Sequence, residues 1–328
     1  MEVNLNLGNN AGKEKPKMDP ETVYDLIIVG GGPAGLNTAL YAKRKGLKVG
    51  IITRDIGGQV MDTSSVENYL GFTSLSGEEL MKKFINHVNQ LNVPILEYEE
   101  LEAVNVKDNS SMREVVLKGG QKFNTYSVVI ATGSKPRKLG VPGEKEYAGK
   151  GVCYCAICDG PLFAGEEVIV AGGGNSAVEA AIDLAKIVKK VTIVHRSQFR
   201  ADQILIDQLS KLDNVEVKLQ TQILEVQGDK FMTGVKVKDK ESGEEFFVEG
   251  AGLFVEIGYL PNSEIFSDLL ELNERKEIVV DRYGKTSVEG IYAAGDVTDT
   301  PYKQIIMAAG DGAKCALAVN DYLNTVNK

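Results

Sequence analysis

Two glycine-rich turns, each set between an apolar strand and a helix, constrain the fold of this chain more than any other feature. The first, GGGPAG at residues 30–35, follows the apolar run 26–29. The second, GGGNSA at residues 172–177, follows a strand pattern at 167–171. In such a unit the first glycine permits a tight turn, the second admits a pyrophosphate, and the third position lets the helix pack on the strand. The sequence therefore predicts two dinucleotide-binding βαβ units in an α/β protein.

The segments after each turn support this prediction. Helix patterns cover residues 36–45 and about 176–189, and apolar strands follow at 48–52 and 191–194. The first unit lacks the acid expected about 20 residues after its glycines, so a purely structural turn remains the alternative there. Two units of this kind in one chain predict two bound nucleotides.

The strand of the second unit ends in HRSQFR at residues 195–200. An acid at this place would bind the free ribose hydroxyl of NAD, whereas guanidinium groups suit a 2′-phosphate. His195, Arg196 and Arg200 therefore favour NADPH. The alternative is a solvated basic turn.

A CxxC pair, Cys155 and Cys158, lies just before the second unit, which places thiols beside a predicted nucleotide site. In a chain with four cysteines this spacing indicates a redox pair and electron transfer. Cys153 is expected to be a small buried residue, although on an extended segment it could exchange into the disulfide. Cys315 is expected to pack in the last helix. A zinc site would need a fourth ligand in a chain with two histidines, so we expect no metal.

The composition restricts the partners and the location. A net charge of −9 argues against nucleic acid or an anionic membrane as the main partner. No apolar run approaches the roughly 20 residues that span a bilayer. Residues 1–22 form a polar extension without a signal-peptide pattern, expected to be loosely ordered rather than an edge strand built on the 3, 5, 7 alternation. We therefore expect a cytoplasmic protein.

Seven motifs in one order, from Tyr24 to Leu323, resemble the low-molecular-weight thioredoxin reductases of bacteria and archaea. That family also lacks the acid after its first turn. The motifs are the two glycine turns, GGQ at residues 57–59, VENY at 66–69, ATG at 131–133, CAICDG at 155–160 and AAGDV at 293–297.

The resemblance implies two Rossmann-like domains of three ββα layers, the second inserted in the first, in a homodimer. Residues 23–135 and 262–328 would bind FAD, and residues 136–261 would bind NAD(P)H and carry the redox pair. The linkers at 134–143 and 257–262 would act as hinges for a domain rotation.

Each site residue is implied by its match to the family pattern. Cys158 would face the flavin, Cys155 would attack the partner's disulfide, and Asp159 would be the general acid and base. The residues implied for FAD are Gly30, Gly32, Pro33, Ala34, Gly35, Gly58, Gln59, Asn68, Ala131, Thr132, Gly133, Gly295, Asp296, Lys303, Gln304 and Ile305. Those implied for NAD(P)H are Gly172, Gly174, Asn175, Ser176, Ala177, His195, Arg196, Arg200 and Ile257.

The implied function is a thioredoxin reductase: a hydride passes from NAD(P)H to FAD, then electrons pass to the Cys155–Cys158 disulfide and on to thioredoxin or a thioredoxin-like or glutaredoxin-like protein. This chain departs from the family where Ser197 follows Arg196 and the segment to Arg200 is one residue short, which predicts weakened discrimination against NADH. Lys303 replaces a frequent arginine and is expected to be tolerated.

Three alternatives stay open. The same thiol chemistry could use a donor other than a nicotinamide. A flavoprotein reducing a peroxidase component is disfavoured, because such reductases usually carry extra thioredoxin-like modules. A nucleotide-binding redox sensor without turnover is the alternative from another functional class.

Overall fold

A computed structural model describes residues 16–63, 66–106 and 111–326, which divide into two compact units. The first unit contains residues 16–63, 75–135 and 260–326 apart from the undescribed stretch at 107–110. The second contains residues 66–74 and 136–259. The predicted α/β class is confirmed, and the chain leaves the first unit and later returns to it. Residues 66–74 are grouped with the second unit, whereas the predicted domain boundaries assigned them to the first.

The described part of the first unit is built on a five-stranded parallel sheet. Its central strand alternates its side chains between two cores: Leu26 and Ile28 point to one face, Ile27 and Val29 to the other. A strand buried on both faces has no polar alternation, which explains its continuous apolar run. In spatial order the strands are Ile291–Ala293, Val128–Ile130, Leu26–Gly31, Val49–Ile56 and Ile95–Glu97.

Helices cover one face of this sheet, and a second sheet packs against the other. The helices are Pro33–Arg44, Gly77–Gln90 and Ile305–Thr325, and the second sheet joins Val23–Tyr24, Lys122–Thr125, Arg113–Leu117 and Leu101–Val106. The first helix begins earlier than predicted because Pro33, whose φ is already helical, occupies its first turn. The second begins with a capping box, in which the Ser76 side chain accepts the Glu79 N–H and the Glu79 side chain accepts the Ser76 N–H.

The second unit repeats the three layers. Within the described residues, its five parallel strands are, in spatial order, Val152–Cys153, Gly252–Val255, Glu167–Ala171, Lys190–Val194 and Val215–Lys218. Val168 and Val170 face a helical layer, while Ile169 and Ala171 face an antiparallel sheet. The helical layer holds Ala156–Asp159, Asn175–Leu184 and Gln203–Leu209, and the antiparallel sheet holds Thr221–Gly228, Met232–Asp239 and Glu245–Glu249.

Several predicted boundaries need correction. The helix predicted to reach residue 189 ends at Leu184, because the next residues bond to a neighbouring segment: the Ile187 carbonyl accepts the Gly165 N–H and the Lys189 N–H donates to the Glu166 carbonyl. The AAGDV motif at 293–297 is divided between two elements, because the strand Ile291–Ala293 ends at its first residue and a 3-10 turn, Gly295–Val297, follows. The predicted linkers contain two short strands, Ser134–Pro136 and Tyr259–Pro261, paired with each other.

No helix in the described ranges is long and apolar enough to cross a membrane. The alternation at positions 3, 5 and 7 lies outside the described residues.

Candidate redox site

The first glycine turn has the three features that a dinucleotide cradle requires. Gly30 has φ +117°, and a Cβ there would lie 2.1 Å from the Ala131 carbonyl oxygen. A Cβ on Gly35 would lie 2.0 Å from the Gly30 oxygen, so the helix packs directly on the strand. At Gly32 no protein atom lies within 4 Å of the Cβ position. The middle glycine thus borders open space in which a pyrophosphate fits.

The second glycine turn repeats the arrangement. Gly172 has φ +152°, with the Glu256 carbonyl oxygen 2.3 Å from its Cβ position. Gly174 borders open space, and Ala177 is fully buried at the packing position. Asn175 begins the helix, and its side chain is fixed because it donates to Asp202 at 2.8 Å and accepts from the Asp202 N–H at 2.9 Å. Ser176 follows it in the first helical turn.

An acid and an amide that are far apart in sequence meet beyond the first turn. Gln59 Nε2 donates to Asp296 Oδ2 at 3.1 Å, and burial raises the Asp296 pKa to about 6, although the nearby Lys303 opposes that rise. Lys303 itself pairs with Glu277 at 3.2 Å and donates to the Thr298 carbonyl.

Most of the remaining residues predicted to bind FAD lie at or near the ends of helices, strands and 3-10 turns. Pro33 and Ala34 open the first helix, Gln304 and Ile305 open the last one, and Gly58 and Gly295 lie on 3-10 turns. Ala131 to Gly133 follow a central strand, and Thr132 Oγ1 donates to the Asn262 carbonyl at 2.8 Å. Asn68 belongs to the segment grouped with the second unit, so its place beside Gln59 stays a prediction.

A basic cluster lies at the end of the strand Lys190–Val194. His195 is buried against Gly173, and burial together with the charges of Arg200 and Arg196 lowers its pKa, so the ring is neutral at pH 7. The Ser197 hydroxyl lies 3.0 Å from His195 Nε2. Sequence analysis missed Lys240, whose Nζ donates to the Arg196 carbonyl at 3.2 Å. Its signal is weak, because it is one lysine in a charged hairpin.

Cys155 and Cys158 form a disulfide at the start of the short helix Ala156–Asp159. Cys155 is the N-cap residue, and its Sγ accepts a hydrogen bond from the Cys158 N–H at 3.3 Å. The two residues between the cysteines lie in a helical turn. This turn brings the Cα atoms of Cys155 and Cys158 to 5.3 Å from each other, a distance that a disulfide spans.

Two carboxyl groups border this redox turn. Burial raises the Asp159 pKa to about 6, while a hydrogen bond from Cys153 lowers it. Burial also raises the Glu256 pKa to about 7, against the effect of a hydrogen bond from the Ala156 N–H to Glu256 Oε1 at 3.3 Å. Both groups can therefore hold or release a proton near neutral pH, as thiol chemistry requires.

Glu256 and Cys153 extend the predicted site. Sequence analysis did not single out Glu256, although it follows the buried strand Gly252–Val255 at the carboxyl end, where ligands of parallel sheets bind. Its neighbour Ile257, which was predicted for NAD(P)H, is half-buried beside it. Cys153 is buried as predicted, and burial raises its thiol pKa strongly. Over the described ranges, no three His, Cys, Asp or Glu side chains cluster in a way that could hold a metal ion.

Most of this chain matches a known protein family. Residues 24–312 match the family described as pyridine nucleotide-disulphide oxidoreductase. The chain belongs to that family. It is therefore an oxidoreductase with a disulfide redox centre, and family membership implies FAD and a nicotinamide nucleotide without saying which one. The two glycine turns fit these groups, because each leaves its middle glycine facing open space.

Solved structures and curated proteins are similar to this chain over most of its length. A thioredoxin reductase from Streptococcus pyogenes is 37% identical, with a TM-score of 0.88 over 93% of this chain and 99% of that one. An alkyl hydroperoxide reductase polypeptide from Pseudomonas putida is 44% identical over 97% of this chain and 62% of its own length. A "NADH dehydrogenase" from Ferdinandcohnia aciditolerans is 42% identical over 98% and 61%. The chain thus spans about three fifths of these curated relatives.

Proposed function

We propose that this protein is a thioredoxin reductase: it uses NAD(P)H and FAD to reduce its Cys155–Cys158 disulfide, and the dithiol then reduces thioredoxin or a thioredoxin-like or glutaredoxin-like protein. One observation supports this most directly. The CxxC disulfide lies in the same compact unit as the second glycine turn, and two carboxyl groups with raised pKa border it.

The two nucleotides would be held by the two glycine turns. The first turn, with Gln59, Asp296 and the 131–133 segment, would hold FAD, and the second, with the basic cluster at 195–200, would hold the nicotinamide nucleotide. When bound, these groups supply hydride transfer and relay two electrons to the disulfide.

The residues of the chain would carry out the thiol exchange. The Cys155 thiolate attacks one sulfur of the partner's disulfide, forming a mixed disulfide and releasing the partner's other sulfur as a thiolate. Cys158 then attacks Cys155, which restores the Cys155–Cys158 disulfide and leaves the partner as a dithiol. Asp159 is placed next to Cys158 to accept the thiol proton and return it to a leaving thiolate, and its pKa of about 6 suits both tasks.

We propose NADPH as the preferred donor, with weakened discrimination against NADH. The basic cluster supports the first part, because Arg196, Arg200 and Lys240 bring positive charge to one edge of the second turn. The weakened discrimination against NADH is inferred from the one-residue shortening before Arg200. The relative named NADH dehydrogenase is consistent with NADH use.

A second candidate function is the reduction of a peroxidase component. It is favoured by the 44% identity to the alkyl hydroperoxide reductase polypeptide. The chemistry at Cys155 and Cys158 would be the same, and only the protein that presents the disulfide would differ. A homodimer and a cytoplasmic location are part of our proposal for either function.

The decisive experiment mixes the flavin-containing protein anaerobically with NADPH or NADH, and then adds thioredoxin or a disulfide-bonded peroxidase. Flavin bleaching followed by turnover with thioredoxin supports the proposed function, and turnover only with the peroxidase supports the second candidate. In Cys155→Ser and Cys158→Ser the flavin should bleach, but the protein disulfide should not be reduced. Cys315→Ala alters a buried cysteine outside the site, so it should show both flavin bleaching and turnover.

Three results would contradict the proposal. Bleaching without reduction of any protein disulfide would favour the redox sensor. A flavin that stays oxidised with both nucleotides would indicate another donor. Turnover that survives Cys155→Ser would remove the redox pair from the reaction.

A further inference from the structure

We infer that Glu256 is a positioning residue of the Cys155–Cys158 centre, and that its charge sets the acidity of the Cys155 thiol. This inference depends on the proposed function in one respect, because the pair must alternate between disulfide and dithiol. It adds a residue outside the CxxC motif that controls how readily the attacking thiolate forms.

The backbone of Glu256 is fixed by the second glycine turn. Its N–H donates to the Ala171 carbonyl at 2.8 Å, and its own carbonyl oxygen lies 2.3 Å from the Cβ position of Gly172. Its side chain extends to the redox turn, where Oε1 accepts the Ala156 N–H at 3.3 Å. One residue therefore joins the predicted nucleotide cradle to the peptide group that follows Cys155.

The Glu256 side chain is half-buried, and no cation of the described residues contributes to its pKa shift. Among the described residues, only burial and the Ala156 N–H shift its pKa. The titratable or charged side chains on the surrounding elements are Cys153, Tyr154, Cys155, Cys158 and Asp159 on the redox segment, His195 under the second glycine turn, and Arg137 and Tyr259 beside Gly258. Its charge is therefore poorly screened and acts on the neighbouring sulfur.

Hydrogen bonds in the redox turn show how Glu256 affects Cys155. The Cys158 N–H donates to Cys155 Sγ, whereas the Ala156 N–H is taken by Glu256. Peptide N–H donors stabilise a thiolate, and a nearby negative charge destabilises it. An ionised Glu256 therefore disfavours the Cys155 thiolate in two ways: it accepts the Ala156 N–H, and it adds a negative charge nearby. A protonated Glu256 weakens both effects.

Two substitutions separate the charge from the hydrogen bond. Glu256→Gln removes the charge and keeps an oxygen that can accept the Ala156 N–H, whereas Glu256→Ala removes both. The reduced protein is alkylated with iodoacetamide across a pH series, and mass spectrometry of the peptide follows Cys155 apart from Cys153 and Cys158. At pH 7 we expect alkylation of Cys155 to be about 3- to 10-fold faster in Glu256→Gln than in the wild type, and faster still in Glu256→Ala.

The control removes the same charge from the same unit at an exposed position. Glu249→Gln on the strand Glu245–Glu249 should leave the Cys155 profile unchanged. Equal profiles for wild type and Glu256→Gln would overturn the inference. If the variants do not fold, the wild-type profile decides: we expect two inflections, one near the Glu256 pKa of about 7, and a single thiol inflection would overturn the inference.

Failure of the proposed function gives a different result. The alkylation requires neither nucleotide nor partner, because dithiothreitol reduces the pair. A Cys155–Cys158 pair that titrates as inferred but receives no electrons from NAD(P)H would refute the proposed function and leave the role of Glu256 intact.

Discussion

The buried thiol of Cys153 and the carboxyl of Asp159, the acid that directly follows Cys158, shift each other's pKa: Cys153 lowers that of Asp159, and Asp159 adds to the rise that burial causes in that of Cys153. This interaction stabilises the ionised form of Asp159, because a donor favours a charged acceptor. It equally favours the protonated form of Cys153, whose buried thiol has a strongly raised pKa. This third cysteine is therefore poorly suited to exchange into the disulfide and well suited to tune the neighbouring acid.

Replacing Cys153 should shift the pH dependence of disulfide reduction. Cys153→Ala removes the donor, so the Asp159 pKa should rise from about 6 and the acid limb of kcat/KM should move to higher pH by roughly half a unit. Cys153→Ser keeps a hydroxyl donor of similar size and should retain the wild-type limb. The measurement is the pH profile of thioredoxin reduction, and coincident profiles for Cys153→Ala and wild type would show that the Cys153 thiol has no such effect.

Glu256 should make the protein less stable as the pH rises through neutrality. Its folded pKa of about 7 lies above the ordinary value of 4.5, so between these values the folded state binds more protons than the unfolded chain. The free energy of unfolding therefore falls as pH rises through this window. Glu256→Gln lacks this loss. Its free energy of unfolding relative to that of the wild type should therefore increase by about 2 kcal/mol from pH 5 to pH 8.

Chemical denaturation of both proteins at the two pH values measures this difference, and Glu249→Gln is the control. An equal loss of stability in wild type and Glu256→Gln would show that the carboxyl does not titrate in this window.

Substitutions at two glycines of the first turn should have different effects, one on FAD binding and the other on folding. A Cβ at Gly32 meets no protein atom within 4 Å and its φ of −79° is ordinary, so Gly32→Ala should fold with wild-type stability but bind FAD at least about tenfold more weakly. A Cβ at Gly35 would lie 2.0 Å from the Gly30 oxygen, so Gly35→Ala should destabilise the apoprotein itself, by more than about 2 kcal/mol.

Flavin content after purification and thermal unfolding of the apoprotein distinguish the two effects. Gly119→Ala, at an open position of the same unit where φ is not left-handed, should change neither quantity. Full flavin occupancy in Gly32→Ala would argue against a pyrophosphate at this turn.

The basic cluster should discriminate between the two nicotinamide nucleotides. Arg196→Ala and Lys240→Ala should each lower kcat/KM for NADPH about tenfold and leave that for NADH within about threefold, because only NADPH carries the 2′-phosphate. The rates of flavin bleaching with NADPH and with NADH give the preference of each variant for NADPH over NADH. Lys238→Ala, an exposed lysine on the same hairpin, is the control. An equal fall with NADH would place these cations at a part of the nucleotide that both donors share.

Local signals accounted for the features that sequence analysis predicted well. The strand at residues 26–29 was predicted from its continuous apolar run, because a strand buried on both faces has no polar alternation. The glycine turns were predicted because each of their three positions has its own steric requirement. The close Cβ contacts of Gly30 and Gly35 and the open space at Gly32 satisfy these requirements. Element ends were less accurate, as at Leu184, because hydrogen bonds to neighbouring segments decide them.

The sequence alone determined the α/β class, the two nucleotide units and the redox pair, since each of these depends on residues that are neighbours along the chain. Only the tertiary structure placed Glu256 on the peptide group of Ala156 and Lys240 on the carbonyl of Arg196, because parallel strands bring together loops that are far apart in sequence. Tertiary burial also moved the pKa of Asp159 and Glu256 towards neutrality, since the loss of water around a carboxylate depends on what packs over it.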